Sequence, residues 1–404
     1  MITPELCIRC KGRGYCKKPC IILEKIKQYQ PKVSKEFSGS SPPEIFVGHH
    51  NYPYVFTGIL APNQHGNTSY LSMPELWHEN KDDITTILSH RASMIYSRFK
   101  SGIKSVRLEQ KNKLLDVMRE ISLTSKPVDA SFVLKQKPVS NIQLDSHNPI
   151  IANSAFLKYA KLDSNLDVEK KVDYLVNDGD AHAVDAINEL YKSRTSVSGI
   201  IKMLSAGMLG LKYQRKLVPT RWAITSVDDT IGKTLLRKIK TYQQISEILL
   251  FNANYLGNYY EILLLPDSWS FEVIEASHKG YFGSGTATWH DYEFFNGRKS
   301  YAKSVTGAYY ANRLAVSEYL EKIKRQASCI FFREIREEYW APCGVGILRE
   351  AAREAFQKNP EKFDSVDDAF KSISSRFKID MNIFLAKSKI LRNFKEQKKL
   401  SQFF

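Results

Sequence analysis

Four of the six cysteines in this chain fall within its first twenty residues, as Cys7, Cys10, Cys16 and Cys20. No other feature limits local folding so sharply. The spacing is Cys-x2-Cys-x5-Cys-x3-Cys, and the residues between include Arg9, Lys11, Arg13, Lys17 and Lys18, which supply no apolar core. Such a segment folds only if something else provides the free energy. Four thiolates around one structural Zn²⁺ do so, because metal binding then becomes folding energy. The Cys-x2-Cys turn offers two ligands, and Gly12, Gly14 and Pro19 let the short loop return with the other pair. An iron–sulfur cluster is the alternative on the same sulfurs, and an intracellular setting disfavours two disulfides. The module is too small and closed for catalysis. Its basic loop either touches phosphates or serves only as a staple.

The rest of the chain is long enough for a sizeable core. With 404 residues, 43% apolar and 25% charged, it has a globular composition and room for two or three structural units. It has no run of 18 apolar residues, and its start, Met1-Ile2-Thr3-Pro4-Glu5, lacks a signal-peptide core. The expectation is a soluble cytoplasmic protein. Its formal net charge of +16 favours a polyanionic partner, although many ordinary basic enzymes share that surplus.

Periodicity predicts a short amphipathic helix over 21–30, an exposed Pro/Ser/Gly-rich loop over 31–44, and strand-like runs over 45–60. Helices are expected over 82–100, 109–122, 166–192 and 195–209, with a strand over 129–139. A strand from 216 leads to Asp228-Asp229 and then a helix. Residues 245–265 and 271–277 are β-rich, with a hairpin turning at Tyr255-Leu256-Gly257-Asn258. A long helix over 301–326, a strand over 329–340 and helices over 344–357 and 364–377 follow. Strands often succeed one another without an intervening helix, which argues for α+β and against a doubly wound sheet. The expected architecture is a mixed sheet with flanking helices, a small N-terminal zinc module and a flexible C-terminal tail. The boundaries fall at 1–24, 25–280, 281–385 and 386–404; from about 381 onward the chain is basic and becomes a tether.

Several clusters are candidates for chemistry. His49 and His50 are neighbours in a strand-like run, and so face opposite ways rather than sharing a metal. The run Asp178-Gly179-Asp180-Ala181-His182 holds potential ligands, yet an aspartate capping a helix is the commoner use. Asp228 and Asp229 at a strand end suit Mg²⁺ or, equally, a helix cap. The stretch 281–310 is dense in aromatic rings, carries Arg298, Lys299 and Lys303, and includes His290-Asp291-Tyr292-Glu293. Rings interleaved with cations suit stacking of exposed bases beside phosphates, and His290, Asp291 and Glu293 suit acid–base or metal work. The plainer alternative is an aromatic strand pair packing a core.

The last eight residues are Gln397-Lys398-Lys399-Leu400-Ser401-Gln402-Phe403-Phe404. In one turn of 3₁₀ helix, residues three apart eclipse one another, so Leu400 and Phe403 share a side, with Phe404 beside them. Such a two-ring plug makes sense as an anchor for another protein's pocket. The pattern resembles the clamp-binding peptide of replication and repair proteins, which docks on the DNA sliding clamp (PCNA). The resemblance implies that Gln397 reaches the rim while Leu400, Phe403 and Phe404 fill the pocket.

The cysteine quartet, LVPTRWAITSVDD (217–229), HDYEFFNGRKSYAKS (290–304), REIREEYWAPCGVGILRE (333–350) and the terminal peptide together resemble the Nre family of archaeal DNA repair proteins, across nearly the whole chain. That resemblance implies repair of bulky or crosslinking DNA damage alongside the sliding clamp, with no catalytic role to carry over. Two classes of function follow. One is an enzyme on damaged DNA, with Asp228, Asp229, His290, Asp291 and Glu293 as catalytic residues around Mg²⁺ and Arg221, Arg298, Lys299 and Lys303 on the nucleic acid. The other is a non-catalytic adaptor that binds DNA and tethers repair factors to the clamp. An RNA-processing enzyme would explain the charge but not the tail.

Overall fold

The computed structural model describes residues 19–107, 112–277 and 286–396. Cys7, Cys10 and Cys16 lie outside the described residues, as do Gln397, Leu400, Phe403 and Phe404. The elements run in the order α1 (Ile21–Tyr29), β1 (Glu36–Ser41), β2 (Ile45–Val47), β3 (Tyr54–Pro62), α2 (Pro74–Glu79), α3 (Ile84–Ala92), β4 (Met94–Gly102), α4 (Lys113–Leu123), β5 (Val128–Leu134), β6 (Val139–Gln143), β7 (Ile151–Leu162), α5 (Lys170–Asn177), α6 (Ala183–Lys192), α7 (Val197–Ser205) and α8 (Thr220–Ile239). They continue with β8 (Ile248–Tyr255), β9 (Asn258–Leu265), β10 (Ser270–Ser277), β11 (Ala287–Glu293), α9 (Gly307–Ile323), β12 (Ser328–Ile335), α10 (Gly346–Ala355), β13 (Glu361–Phe363), α11 (Val366–Arg376), α12 (Met381–Leu385) and α13 (Lys389–Glu396). This is the mixed α+β architecture that the succession of strands predicts. Contacts divide the described chain into two compact units, 19–231 with Ala341–Gly346, and Gly232–Trp340 with 347–396.

The first unit holds a seven-stranded sheet in the order β1-β5-β7-β4-β3-β2, with β6 also on β7. Only the β4–β7 pair is parallel. The stretch expected to be an exposed loop, 31–44, instead contains β1, which is mostly buried. Its small residues are there because another backbone crosses them. A Cβ on Gly39 would sit 2.2 Å from the carbonyl oxygen of Pro62, and the Ser40 N–H donates to the Gln64 carbonyl at 2.9 Å. The helix expected over 82–100 ends at Ala92. Asp83 caps its start by accepting the Thr86 N–H at 2.7 Å, and β4 begins two residues after its end.

The stretch from 216, expected to be a strand leading to Asp228-Asp229, forms no strand. Pro219 there opens a twenty-residue helix instead, and its carbonyl accepts the Trp222 and Ala223 N–H groups. Ala223, Val227 and Ile231 are fully buried at four-residue intervals, the spacing of one helical face. The strong β propensity of Ile224, Thr225 and Val227 is overridden by packing.

The second unit holds a six-stranded sheet, β11-β10-β12-β9-β8-β13, parallel only between β10 and β12. The β8–β9 hairpin turns where the sequence predicts, with Leu256 at φ 51° and Gly257 at φ 75°. Positive φ at both turn residues matches strand twist. Gly257 is needed twice over, since a Cβ would lie 2.5 Å from the Tyr339 nitrogen. Alternation gives the sheet two buried faces. Leu250, Leu263, Ile274, Ile330 and Phe332 pack with Phe370, Ile373, Phe377 and Phe384 from the C-terminal helices. Phe251, Phe271 and Phe331 instead meet rings at Tyr309, Tyr319 and Phe356. The flexible tail expected from 386 meets α13, whose Ile390 and Leu391 are buried in the first of these clusters.

A buried carboxylate seats α13. Glu272, fully buried on β10, accepts the Ser388 hydroxyl at 2.5 Å, the Lys389 N–H at 2.7 Å and the Ile390 N–H at 3.4 Å. A helix start has orphan N–H groups, and a carboxylate placed there satisfies both hydrogen bonding and the helix dipole.

Candidate nucleic-acid interface

In the second unit, the stretch 287–304 is a strand followed by a loop. Because strand side chains alternate, β11 puts His290 and Tyr292 on one face and Asp291 and Glu293 on the other. The His290 and Tyr292 rings stack at 5.4 Å, and Tyr292 meets Phe294 edge-on at 5.4 Å. The opposite face is occupied internally. Glu293, 1% exposed, pairs with Arg313 at 3.0 Å and accepts from the Trp269 indole at 3.3 Å. Asp291 accepts the Ser304 and Val305 N–H groups at 2.9 and 2.7 Å and pairs with Arg298 at 3.0 Å. His290 is 2.6 Å from Glu272. Thus His290 does not join Asp291 and Glu293 at one point, and each acidic group has a cation or amide partner within the unit.

Arg298 is a staple. It donates to the carbonyls of Tyr292 at 2.8 Å, Ser300 at 3.2 Å and Tyr301 at 3.3 Å, and its guanidinium lies over the Tyr309 ring. The Ser304 hydroxyl takes the His290 N–H at 3.0 Å. With the loop held this way, Phe294, Phe295 and Tyr301 remain exposed, and so do Lys299 and Lys303. Lys240 stands 5.1 Å from the centre of the Phe295 ring. Exposed rings between ammonium groups can stack bases and meet phosphates.

In the first unit, Asp228 is buried and Asp229 half-buried in mid-helix, so the strand-end reading of this pair fails. Among the described residues, no three His, Cys, Asp or Glu side chains gather as metal ligands. Cys20, the one described member of its quartet, precedes α1 as its N-cap residue. Asp178 accepts the Asp180 and Ala181 N–H groups in a local turn.

A second polar cluster surrounds Arg221 in the first turn of α8. Its guanidinium is 3.3 Å from Asp145, 3.4 Å from His49 Nε2 and 3.5 Å from His147 Nδ1. Burial by itself would raise the Asp145 carboxyl. The His147 contacts and the Arg221 charge outweigh it and hold that carboxyl well below the usual carboxylate range. A carboxylate so held stays ionised and keeps Arg221 oriented. The next residue in sequence, Trp222, has an exposed ring that lies 5.3 Å from the exposed ring of Tyr52. His50 is exposed and its ring is 4.1 Å from that of His49. Sequence reasoning found Arg221 but not Tyr52, Asp145, His147 or Trp222. Arg221 and His49 are 172 residues apart, and no local spacing signals such a meeting.

The chain matches the family model "Archaeal Nre, N-terminal" over residues 15–282 and "Archaeal Nre, C-terminal" over 293–403. It is similar to "DNA repair protein NreB" of Archaeoglobus fulgidus, 34% identical over 97% of this chain and 98% of that one. "DNA repair protein NreA" of the same organism is 34% identical over 92% of this chain and 93% of its own. "DNA repair protein NreA" of Haloferax volcanii is 31% identical over 89% of each. No solved structure matches.

Proposed function

Since the chain belongs to the archaeal Nre family, we propose that it is a DNA repair protein that binds DNA and is brought to it by the sliding clamp. The observation that carries the DNA contact is the strand and loop 287–304, with Phe294, Phe295, Tyr301, Lys299 and Lys303 exposed around an internal Arg298 staple. The formal charge of +16 adds long-range attraction for a polyanion. The names of its relatives support the repair role. Residues Gln397, Leu400, Phe403 and Phe404 carry the clamp contact, and Cys7, Cys10, Cys16 and Cys20 carry a structural zinc.

Between enzyme and adaptor, the engagement of the acidic groups favours the adaptor. Asp291, Glu293 and Glu272 each serve an internal cation, hydroxyl or amide. Carboxylates consumed in this way hold a fold together and leave little for Mg²⁺ or proton transfer.

The test is DNA binding by the full chain across a salt series. Replacing Lys299 and Lys303 by Ala should weaken binding and flatten the dependence on salt by about two counterions' worth. Affinity and salt slope both equal to those of the parent would remove the loop from the interface.

A further inference from the structure

We infer that Tyr52 and Trp222 form a stacking platform for an unpaired nucleobase, with Arg221 beside it to take the adjoining phosphate. This rests on the reading of the chain as a DNA-binding protein and names the state of DNA that the first unit recognises.

Trp222 is 44% exposed and Tyr52 42% exposed, although each could bury a large apolar area. Their rings lie 5.3 Å apart at an interplanar angle of 55°. Two large rings from segments 170 residues apart therefore meet at the surface rather than in the core. The two segments are anchored to each other where the Val47 N–H donates to the Thr220 hydroxyl at 2.9 Å. The Ser205 hydroxyl, 3.1 Å from that of Thr220, also donates to the Val218 carbonyl at 2.8 Å. The first of these bonds joins the start of α8, two residues before Trp222, to the end of β2, five residues before Tyr52.

The neighbouring cation gives the platform a ligand class. Arg221 is adjacent in sequence to Trp222, is 29% exposed, and is aligned by Asp145. Asp145 remains charged, so the guanidinium is held in one orientation before any ligand arrives, and less freedom is lost on binding. The exposed face of one ring, with the second ring tilted at 55° beside it and an oriented arginine at the adjacent position in sequence, suits one nucleotide, whose base has a π-face and whose phosphate accepts a forked donor. A base paired within a duplex has both faces covered by its neighbours, so only an unpaired or extruded base can use the platform.

The experiment compares a 20-nucleotide single strand with a duplex of the same sequence by fluorescence anisotropy, using the full chain. The expected result for Trp222→Ala is a loss of single-strand preference of roughly 5- to 100-fold, the range of one base–aromatic stack. Trp222→Phe should restore most of that preference, because it keeps a ring without the indole. Tyr52→Ala should act in the same direction. Circular dichroism of each variant checks that the unit remains folded, and Trp222→Phe keeps the test open should Trp222→Ala unfold. If the parent binds both DNAs and the ratio is unchanged in all three variants, the platform is refuted while DNA binding stands. If the parent binds neither DNA, the DNA-binding reading falls and the platform with it.

Discussion

Replacing Glu272 by Ala removes the acceptor that seats α13. The structure allows the cost to be worked out. At the start of α13 three donors lose their partner, the Ser388 hydroxyl and the Lys389 and Ile390 N–H groups, and on β11 the His290 ring nitrogen loses its own. The long Ile390 contact counts for little. The other two resemble capping bonds of about 1 kcal/mol each. The vacated space adds about 1 kcal/mol, for a sum of about 3 kcal/mol. Among the described residues, the hydrogen bonds of the Glu272 side chain go to the start of this helix and to His290, so most of the loss falls on local opening of α13 before it falls on the whole unit. The assay is amide hydrogen exchange over 389–396. At 1.4 kcal/mol per tenfold, exchange should quicken by roughly a hundredfold. Glu272→Gln keeps one oxygen but turns an amide against a donor, so it should give a partial effect. Unchanged exchange over 389–396 in Glu272→Ala would refute the reasoning, for it would mean that Ile390 and Leu391 hold the helix unaided.

Other expectations follow from the same residues. Metal analysis should find about one zinc per chain, lost in a Cys7→Ser/Cys10→Ser double variant that keeps both sheets; absence of metal in the parent would end that assignment. A peptide of residues 397–404 should bind the sliding clamp, and replacing Phe403 and Phe404 by Ala should cost about 3–5 kcal/mol; calorimetry reads this, and undiminished binding would remove the tail from the account. Asp145 gives a pH dependence. Its folded carboxyl lies below the ordinary 3.8, so its contribution is full above that value and is lost as pH falls through it toward the folded value. Asp145→Asn should therefore lower thermal stability at pH 6, with a gap to the parent that narrows by pH 3; a gap that widens in acid would contradict the ion pair.

Much of the fold is legible where one local rule dominates. Leu256-Gly257 marks the hairpin because few residues accept positive φ in succession, and β8 to β10 read as strands because both faces are apolar. The misreadings occur where a distant contact decides. The serines and Gly39 of β1 look like loop composition, but they are small because the backbone near Pro62 and Gln64 passes over them. The β-branched residues after Pro219 suggest a strand, but burial of Ala223, Val227 and Ile231 requires a helix. For the site, charge and aromaticity at 287–304 are visible in one window. The Arg221 cluster is not, since its members come from three separate segments.

The position of β11 has one more consequence. Among the described residues it is the outermost strand of its sheet, and a strand edge left open invites pairing with a second molecule. Two of its backbone groups are already taken by side chains of the following loop, the His290 N–H by Ser304 and the Tyr292 carbonyl by Arg298. The loop that carries the exposed rings and lysines thereby also hems the sheet. Loosening Arg298 would do more than displace those rings. It would uncover an aromatic strand border able to zip onto its like, so solubility at high concentration and the proposed contact with nucleic acid depend on the same guanidinium.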